Sequence, residues 1–534
     1  MNVSVDGDRP TWVDFKKSVA EWKLQTESDS ESSLESEQSF AYVDDVLAVQ
    51  EKIGLDWAAA KASELKSWEL NSVYTEVEDR GQDRIQCRWI CSTKESAAGK
   101  LTKARLVAKG FQDTGAGSTR SDSPTCAKES LRIVLMLIAA NDWKLNSMDI
   151  KTAFLQGKKF ERDVFIIPPV EAKVKEGRLW KLNKCVYGLT DASRFWYLTV
   201  REELVKLGMK PSVHDEAIFT FEWDNKLHGV VSTHVDDFCW AGSQKSEEQV
   251  IGKLRLVFKV KSEEKYSFKY LGLDLSQEND KIIVKQDLYV QKIDLIRLER
   301  KCEPSEYMTE DEVSQCRGAL GKLNWLATQT RPDLSFQVSE LTSALSNRKV
   351  EVIHGINRAI RKAKRESSQL TIPRMSNFQR CKLVTYSDAS FANIEGTKSQ
   401  GGYITYVSDG ECSFPLAWQS QRVKRTVKST QAAETLAMVD AAEASLYYQS
   451  FLQEVLHASQ KSIFPIQCKT DNASLHASVH SNTQILDKRL RIETAILREM
   501  LAKGEIVSLS WVPTKYQLAD SLTKSGAPSN RVHS

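Results

Sequence analysis

Seven acidic residues stand where they could do chemistry together. Asp149 closes an apolar-alternating stretch (Leu145, Met148, Ile150) in SMDIKTAFLQG. Asp236 and Asp237 sit where GVVSTHVDDFCWAG turns between two apolar runs. Carboxylates on neighbouring strands can hold two Mg²⁺ ions a few ångströms apart. One ion would activate a 3′-hydroxyl and the other stabilise a pyrophosphate leaving group. Hard oxygen donors suit Mg²⁺, which takes its remaining ligands from water and substrate phosphate. The blander reading of Asp-Asp in a hairpin is ordinary turn chemistry. Further along come Asp388 (VTYSDASFA), Glu434 (STQAAETLA), Asp471 (CKTDNAS) and Asp520 (YQLADSLTK). Each alone reads as a surface acid or a cap. As a set they would form a dense negative site for divalent cations, and two Mg²⁺ ions there could activate water against a phosphodiester.

Those acids need elements to hold them. The pattern predicts strands around 86–91 and 104–109, a buried helix over 128–140 and a strand over 144–154. It also predicts an amphipathic helix over 191–207 and a hairpin over 226–241 tipped by the two aspartates. Residues 309–367 read as all-helical. After Arg380 the order changes: strands at 382–387, 402–407 and 414–419, a long helix at 430–457 and a strand at 466–470. Helices, a strand at 506–512 and a short terminal helix follow. This α/β pattern sets a boundary near 370–380. A helical pattern also runs between Leu47 and Leu70. Residues 24–39 are Ser/Glu-rich with almost no apolar side chains, which predicts disorder.

A chain of 534 residues is expected to hold three or four domains at roughly 150 residues each. Lys+Arg is 74 and Asp+Glu is 71, a net +3 that argues against a polybasic binder. The charge is uneven. Residues 1–80 hold 18 acids and 8 bases (−10), leaving 66 bases and 53 acids (+13) for the rest. Arg358, Arg361, Lys362 and Arg365 recur at helical spacing, and Arg422, Lys424, Arg425 and Lys428 precede Glu434. These are either solvated faces or a phosphate track between the two sites. The 10 Cys are scattered without a CxxC pair, which fits reduced thiols in an intracellular compartment. No apolar run nears the ~18–20 residues that span a bilayer, and no signal peptide is visible.

The order of the segments carries a resemblance. KARLVAKGFQ (103–112), SPTCAKESLR (123–132), MDIKTAFLQG (148–157), VYGLTDASRFWY (186–197), HVDDFCWAG (234–242) and FKYLGLDL (268–275) follow one another. Together they resemble the reverse transcriptase of copia-type (pseudovirus) LTR retrotransposon Pol, from fingers through palm. GALGKLNWLATQTRPDLSFQVSELTSAL (318–345) resembles that family's connection after the thumb. SDASFAN, TQAAET, TDN and WVPTKYQLADSLTK, around the last four acids, resemble the copia-type Asp-Glu-Asp-Asp quartet of RNase H. The resemblance covers roughly residues 50–525. It implies an α+β polymerase right hand (fingers, palm, thumb) over 47–300 and a helical connection over 301–379. An α/β RNase H-like domain with a mixed five-stranded sheet would follow over 380–525. An acidic disordered segment (1–46) and a disordered tail (526–534) would flank them.

The resemblance also implies roles. Asp149, Asp236 and Asp237 would be the catalytic metal ligands of the palm, with Asp237 contributing less than Asp236. Asp388, Glu434, Asp471 and Asp520 would be those of the RNase H site, and no catalytic His stands out beside them. Phe154 would block a ribose 2′-hydroxyl and so select deoxynucleotides. Lys103 and Arg105 would meet the incoming triphosphate, where an ammonium and a guanidinium neutralise phosphate charge. The implied activity is RNA-directed DNA polymerisation with hydrolysis of RNA in RNA–DNA hybrids. It would use two Mg²⁺ per active site, with Mn²⁺ as a substitute. RNA template, DNA primer, RNA–DNA hybrid and dNTPs would be the partners, with no membrane; dimerisation is not derivable. The implied setting is intracellular, with cytoplasm, retrotransposon particles and nucleus as candidate places. No integrase or zinc knuckle is visible, so a portion of a Pol polyprotein is expected.

Two departures leave an alternative open. His234 stands where the family usually has Tyr, and Thr190, Asp191 and Ser193 turn the usual YGLKQAPR into YGLTDASR. The alternative is a catalytically decayed or domesticated relic that only binds nucleic acid. Two further motifs are set aside. Tyr42-Val43-Asp44-Asp45 matches the palm box but has only 41 residues before it. Asp113-Thr114-Gly115-Ala116 matches an aspartic-protease box but lacks the apolar strand that such a carboxyl pair requires.

Overall fold

The computed structural model describes residues 57–96, 99–116, 120–159, 162–375, 377–394, 398–456, 464–481 and 484–527. The acidic segment 1–46, the Tyr42–Asp45 box and most of the 526–534 tail lie outside the described residues. The chain divides into two compact units, one of residues 1–120 with 158–192 and one of 121–157 with 193–534.

In the first unit, helix α1 (Ala58–Leu70) precedes a long hairpin of β1 (Cys87–Ser96) and β2 (Gly99–Ala108). The hairpin pairs without a slip from Cys87↔Ala108 to Ser96↔Gly99. A four-stranded sheet of Tyr74–Glu78, Arg178–Leu182, Phe165–Ile166 and Arg84–Ile85 completes the unit. Trp68 and Trp180 are fully buried, and Tyr74 stacks on Trp180 at 3.9 Å. Two glycines let backbones cross here. A Cβ on Gly110 would lie 2.1 Å from the Gly188 carbonyl oxygen, and one on Gly188 would lie 2.1 Å from that of Ala108.

The second unit begins with α2 (Lys128–Ala140), whose residues Ser130–Ala139 are all buried, as the apolar run predicted. Next come β3 (Asn146–Ile150), α3 (Ala192–Lys206), β4 (Lys226–His234), β5 (Asp237–Gly242) and β6 (Val260–Lys265). Their six-stranded sheet runs β6-β3-β5-β4, then Ile218–Trp223 and Met209–Pro211. The strand expected over 144–154 stops at Ile150. Thr152 enters the left-handed region (φ 47°), so Phe154 falls on a short helix, Ala153–Gln156.

Residues 267–285 form three antiparallel strands, and Leu370–Pro373 adds a fourth. The expected boundary region therefore begins by returning to an earlier sheet. Between them lie α4 (Glu310–Gln329), α5 (Ser335–Ala344) and α6 (Val350–Arg365). Thr309 and Glu312 start α4 with reciprocal side-chain-to-backbone bonds, which satisfy donors that a helix start leaves open.

The last portion contains β7 (Lys382–Ile394), β8 (Lys398–Ser408), β9 (Ser413–Arg422) and α7 (Thr430–Val455). Then come β10 (Ile466–Thr470), α8 (Ala473–His480), α9 (Lys488–Ala502) and β11 (Ser508–Trp511). Sheet order is β9-β8-β7-β10-β11, antiparallel through β7 and parallel from β7 to β11. This is the mixed five-stranded sheet that was expected. All ten Cys are unpaired. Among the described residues no helix is long and apolar enough to cross a membrane.

One buried cation joins three parts of this unit. Arg132 of α2 is 4% exposed and donates to the carbonyls of Leu416 (2.7 Å), Thr328 (2.7 Å) and Gln329 (3.0 Å). Its guanidinium lies 3.9 Å above the Trp418 ring, and the Trp418 indole N–H donates to the Ala327 carbonyl at 2.9 Å. Burial lowers its pKa to about 10, so it is charged at neutral pH. Arg132→Met keeps the bulk but leaves these buried carbonyls without their donors. Denaturant unfolding should show a loss of about 3 kcal/mol; a loss under about 1 kcal/mol would show that the junction does not depend on it.

Candidate active sites

Strand register sets two of the palm aspartates opposite one another, while the three palm carboxylates do not close into one tight group among the described residues. Asp149 on β3 lies directly opposite Asp237 on β5. The β4–β5 hairpin closes at His234↔Asp237, leaving Val235 and Asp236 as its turn. Val235 holds φ 53°, which costs a β-branched residue of order 1–3 kcal/mol. The turn is clamped in that shape. The Trp196 indole of α3 donates to the Val235 carbonyl at 2.6 Å, and the Ile150 amide donates to the Asp236 carbonyl at 2.9 Å. His234 Nδ1 is buried without a hydrogen-bond partner, and burial lowers the ring's pKa against the opposing pull of Asp236.

Sequence reasoning missed Lys261, which forms an ion pair with Asp149. Val260 pairs with Ile150 and Ser262 with Asp149, so Lys261 is the extra residue of a β-bulge. A bulge re-aims a side chain in a way that strand alternation cannot show. The ammonium on Asp149 is a stand-in cation and shows that the carboxylate suits one. Phe154 is half-buried and packs against the core that holds Met148, Ile150 and Trp196.

In the first unit, Lys103 and Arg105 share one face of β2, two residues apart. The Arg105 guanidinium lies 5.0 Å above the Tyr187 ring, and its Nε is buried without a hydrogen-bond partner. Asp191, the altered residue of YGLTDASR, is fully buried and accepts from Arg162 Nε at 3.0 Å. The same guanidinium grips Asp113 through two bonds, of 2.9 and 2.6 Å. The change to Asp at 191 thus comes with its own part-buried counter-charge. Asp113, from the box set aside above, belongs to this ion-pair network.

The second constellation is tighter. Carboxylate oxygens of Asp388, Glu434 and Asp471 lie within 4.8 Å of one another, the one such group among the described residues. Asp388 is fully buried on β7, and Glu434, 4% exposed, sits in the first turns of α7. Asp471 directly follows β10. Glu434 Oε2 has no hydrogen-bond partner. Burial, then Asp388 and Asp471, push the Glu434 carboxyl up to about 10. Three hard oxygen donors around a buried orphan oxygen fit a divalent ion. Asp520 lies outside this group, on the 3-10 segment Leu518–Leu522. It meets Lys524 at 2.7 Å, and burial raises its carboxyl against that contact.

The segment 511–524 frames the site. The Trp511 indole donates to the Asp471 carbonyl at 2.9 Å. Gln517 donates to the Ser387 carbonyl at 3.0 Å and to Asp471 Oδ1 at 3.4 Å. Gly402, paired with Asp388, admits this segment, since a Cβ there would lie 2.8 Å from Leu522 Cβ. His480 is occupied by the Leu509 carbonyl at 2.8 Å. Of the suggested basic track, Arg425 pairs with Glu493 and Lys428 with Asp487. On α6, Arg358, Arg361 and Arg365 keep an exposed stripe.

Residues 71–299 match the family profile described as "Reverse transcriptase (RNA-dependent DNA polymerase)". That part of the chain is similar to reverse transcriptases, and the relatives that match most of the chain are retrotransposon Pol polyproteins. The chain is 27% identical over 471 residues to the "Retrovirus-related Pol polyprotein from transposon RE1" of Arabidopsis thaliana, covering 82% of this chain and 30% of that one. It is 26% identical over 506 residues to the polyprotein from transposon TNT 1-94 of Nicotiana tabacum, covering 87% and 36%. The chain therefore spans about a third of the length of these relatives. A solved foamy viral protease-reverse transcriptase in complex with ds DNA shares the fold, with TM-score 0.51 and 13% identity over 84% of this chain and 68% of that one.

Two outcomes follow for this chain. Trp196→Phe removes the donor that holds the Val235–Asp236 turn. Primer extension should fall at least about tenfold while cleavage of an RNA–DNA hybrid stays near the parent rate; equal losses in both would point to general unfolding instead. In the metal-free chain Glu434 binds its proton more tightly folded than unfolded. Stability measured in EDTA should therefore fall as pH rises from about 4.5 toward about 10. Glu434→Gln should flatten that slope, and a slope unchanged by the substitution would assign it to other groups.

Proposed function

We propose that the chain is an RNA-directed DNA polymerase with a second, RNase H active site. The polymerase would occupy residues 47–300, the connection 301–379 and the RNase H-like domain 380–525. The observation that carries this reading is the register of Asp149 opposite Asp237, inside the residues that match the reverse transcriptase family. Asp149, Asp236 and Asp237 would hold Mg²⁺ in the palm, and Asp388, Glu434 and Asp471 would hold it in the second site. Bound there, Mg²⁺ (or Mn²⁺) activates the attacking oxygen and stabilises the leaving one.

The chain's own residues do the positioning. Trp196 holds the turn that presents Asp236, and Lys261 gives up Asp149 when a stronger cation arrives. Lys103 and Arg105 would neutralise the triphosphate of an incoming dNTP. Phe154, fixed on its short helix, would set the shape of the sugar pocket. RNA template, DNA primer and RNA–DNA hybrid are the macromolecular partners. The nucleic-acid complex of the structurally similar foamy viral enzyme supports that class of partner. Intact carboxylates at every palm and RNase H position favour an active enzyme over a binding relic, in an intracellular setting.

Purified chain given a primed RNA template, Mg²⁺ and dNTPs should extend the primer, and Asp236→Asn should abolish extension while sparing hybrid cleavage. Asp388→Asn should do the reverse. Extension no greater than that of Asp236→Asn would remove the polymerase assignment.

A further inference from the structure

We propose that Lys524 is a resident cation of the second carboxylate site. Its ammonium fills the position between Asp388 and Asp520 that a second divalent ion would take, so the free chain holds one ion there and not two. This rests on the reading of the site as a metal-dependent nuclease.

The geometry separates the four acids into two cation positions that share Asp388. Asp388, Glu434 and Asp471 enclose the first, and the partnerless Glu434 Oε2 marks it as short of a positive group. Asp388 and Asp520 enclose the second, and that one already contains Lys524. Its Nζ lies 2.7 Å from Asp520 Oδ1, and 3.2 and 3.3 Å from the two oxygens of Asp388. The arrangement is built from the backbone outward. The amides of Thr523 and Lys524 both donate to the Asp520 carbonyl, at 3.1 and 3.0 Å. The Thr523 hydroxyl donates to Asp388 Oδ2. Asp388 is fully buried and the Lys524 side chain is 39% exposed. Lys261 in the palm differs: it reaches a single carboxylate, Asp149, from a side chain that is 47% exposed.

A tethered cation competes at an effective concentration of about millimolar order. That is high enough to oppose a weakly held second ion while leaving the tighter three-carboxylate position untouched. A second ion enters this site by displacing the ammonium from Asp388 and Asp520. Lys524 thus sets the metal concentration at which the site fills, and removing it eases filling.

The test uses the full chain carrying Asp149→Asn and Asp236→Asn, which disables the palm, with bound Mn²⁺ counted by electron paramagnetic resonance. One ion should bind, and Asp388→Asn should remove it. Lys524→Met should raise the count to two, while Lys524→Arg, which keeps a cation in place, should leave it at one. In the otherwise unmodified chain, the Mg²⁺ concentration for half-maximal hybrid cleavage should fall several-fold with Lys524→Met. Two ions bound with Lys524 in place would overturn the proposal, as would a count still at one in Lys524→Met with a melting curve like the parent's. If no ion depends on Asp388, the nuclease reading fails first and the proposal falls with it.

Discussion

The second unit depends on one buried positive charge. Among the described residues Arg132 meets no carboxylate at hydrogen-bond distance; it is satisfied by three carbonyl oxygens and one indole face. Two of those carbonyls close α4 and one belongs to β9. A guanidinium suits this position because its planar fork serves several acceptors at once and stacks on a ring, which an ammonium cannot do. A second tie acts at the far end of α7. His214 reaches Glu454 at 2.5 Å and Ser450 at 2.9 Å, and Tyr447 donates to the His214 carbonyl at 2.9 Å. The six-stranded sheet that carries Asp149 and the five-stranded sheet that carries Asp388 therefore share one continuous core, which contains residues of both.

Both candidate sites must gather negative charge without a bound metal, and they do so differently. In the palm, Asp149 and Asp236 are only part-buried, and water with Lys261 relieves the repulsion. In the second site Asp388 and Glu434 are almost wholly buried, where like charges interact strongly. Relief there comes from a proton on Glu434, from Lys524 and from hydroxyl and amide donors such as Thr523 and Gln517. The second site consequently links protonation of Glu434 to stability.

The fold class and the acids that meet as Asp388, Glu434 and Asp471 were legible because they rest on local pattern. Period-2 strands, a buried apolar helix and ordered motif strings survive without knowledge of the tertiary structure. What was not legible arose from irregular backbone or from distant pairing. Lys261 reaches Asp149 through a bulge, which adds one residue and so breaks the alternation that a reader of strands relies on. Phe154 looked like the end of a strand, and a left-handed Thr152 placed it on a helix. Asp191 read as a departure from the family motif. Its partner, Arg162, lies 29 residues away and carries no motif of its own. Asp520 was expected among the metal ligands from the quartet in sequence, and its contact with Lys524, four residues on, was not foreseen.

The palm stores its cost in a different place from the second site. The Val235–Asp236 turn is strained, and a two-residue hairpin turn would ordinarily use Asn or Gly at such a φ. A β-branched residue remains there only because Trp196 and Ile150 over-determine the turn. A glycine would relieve the strain but would also free Asp236 to wander, and carboxylates that share a cation must be held to within about half an ångström. Strain at Val235 is thus the cost of rigidity at Asp236, offset by the aromatic packing of Trp196 against Phe258 (5.1 Å) in the core beneath. The second site needs no such device, because Asp388 is on a central strand, paired with Gly402 of β8, and its carboxylate is held by the Thr523 hydroxyl.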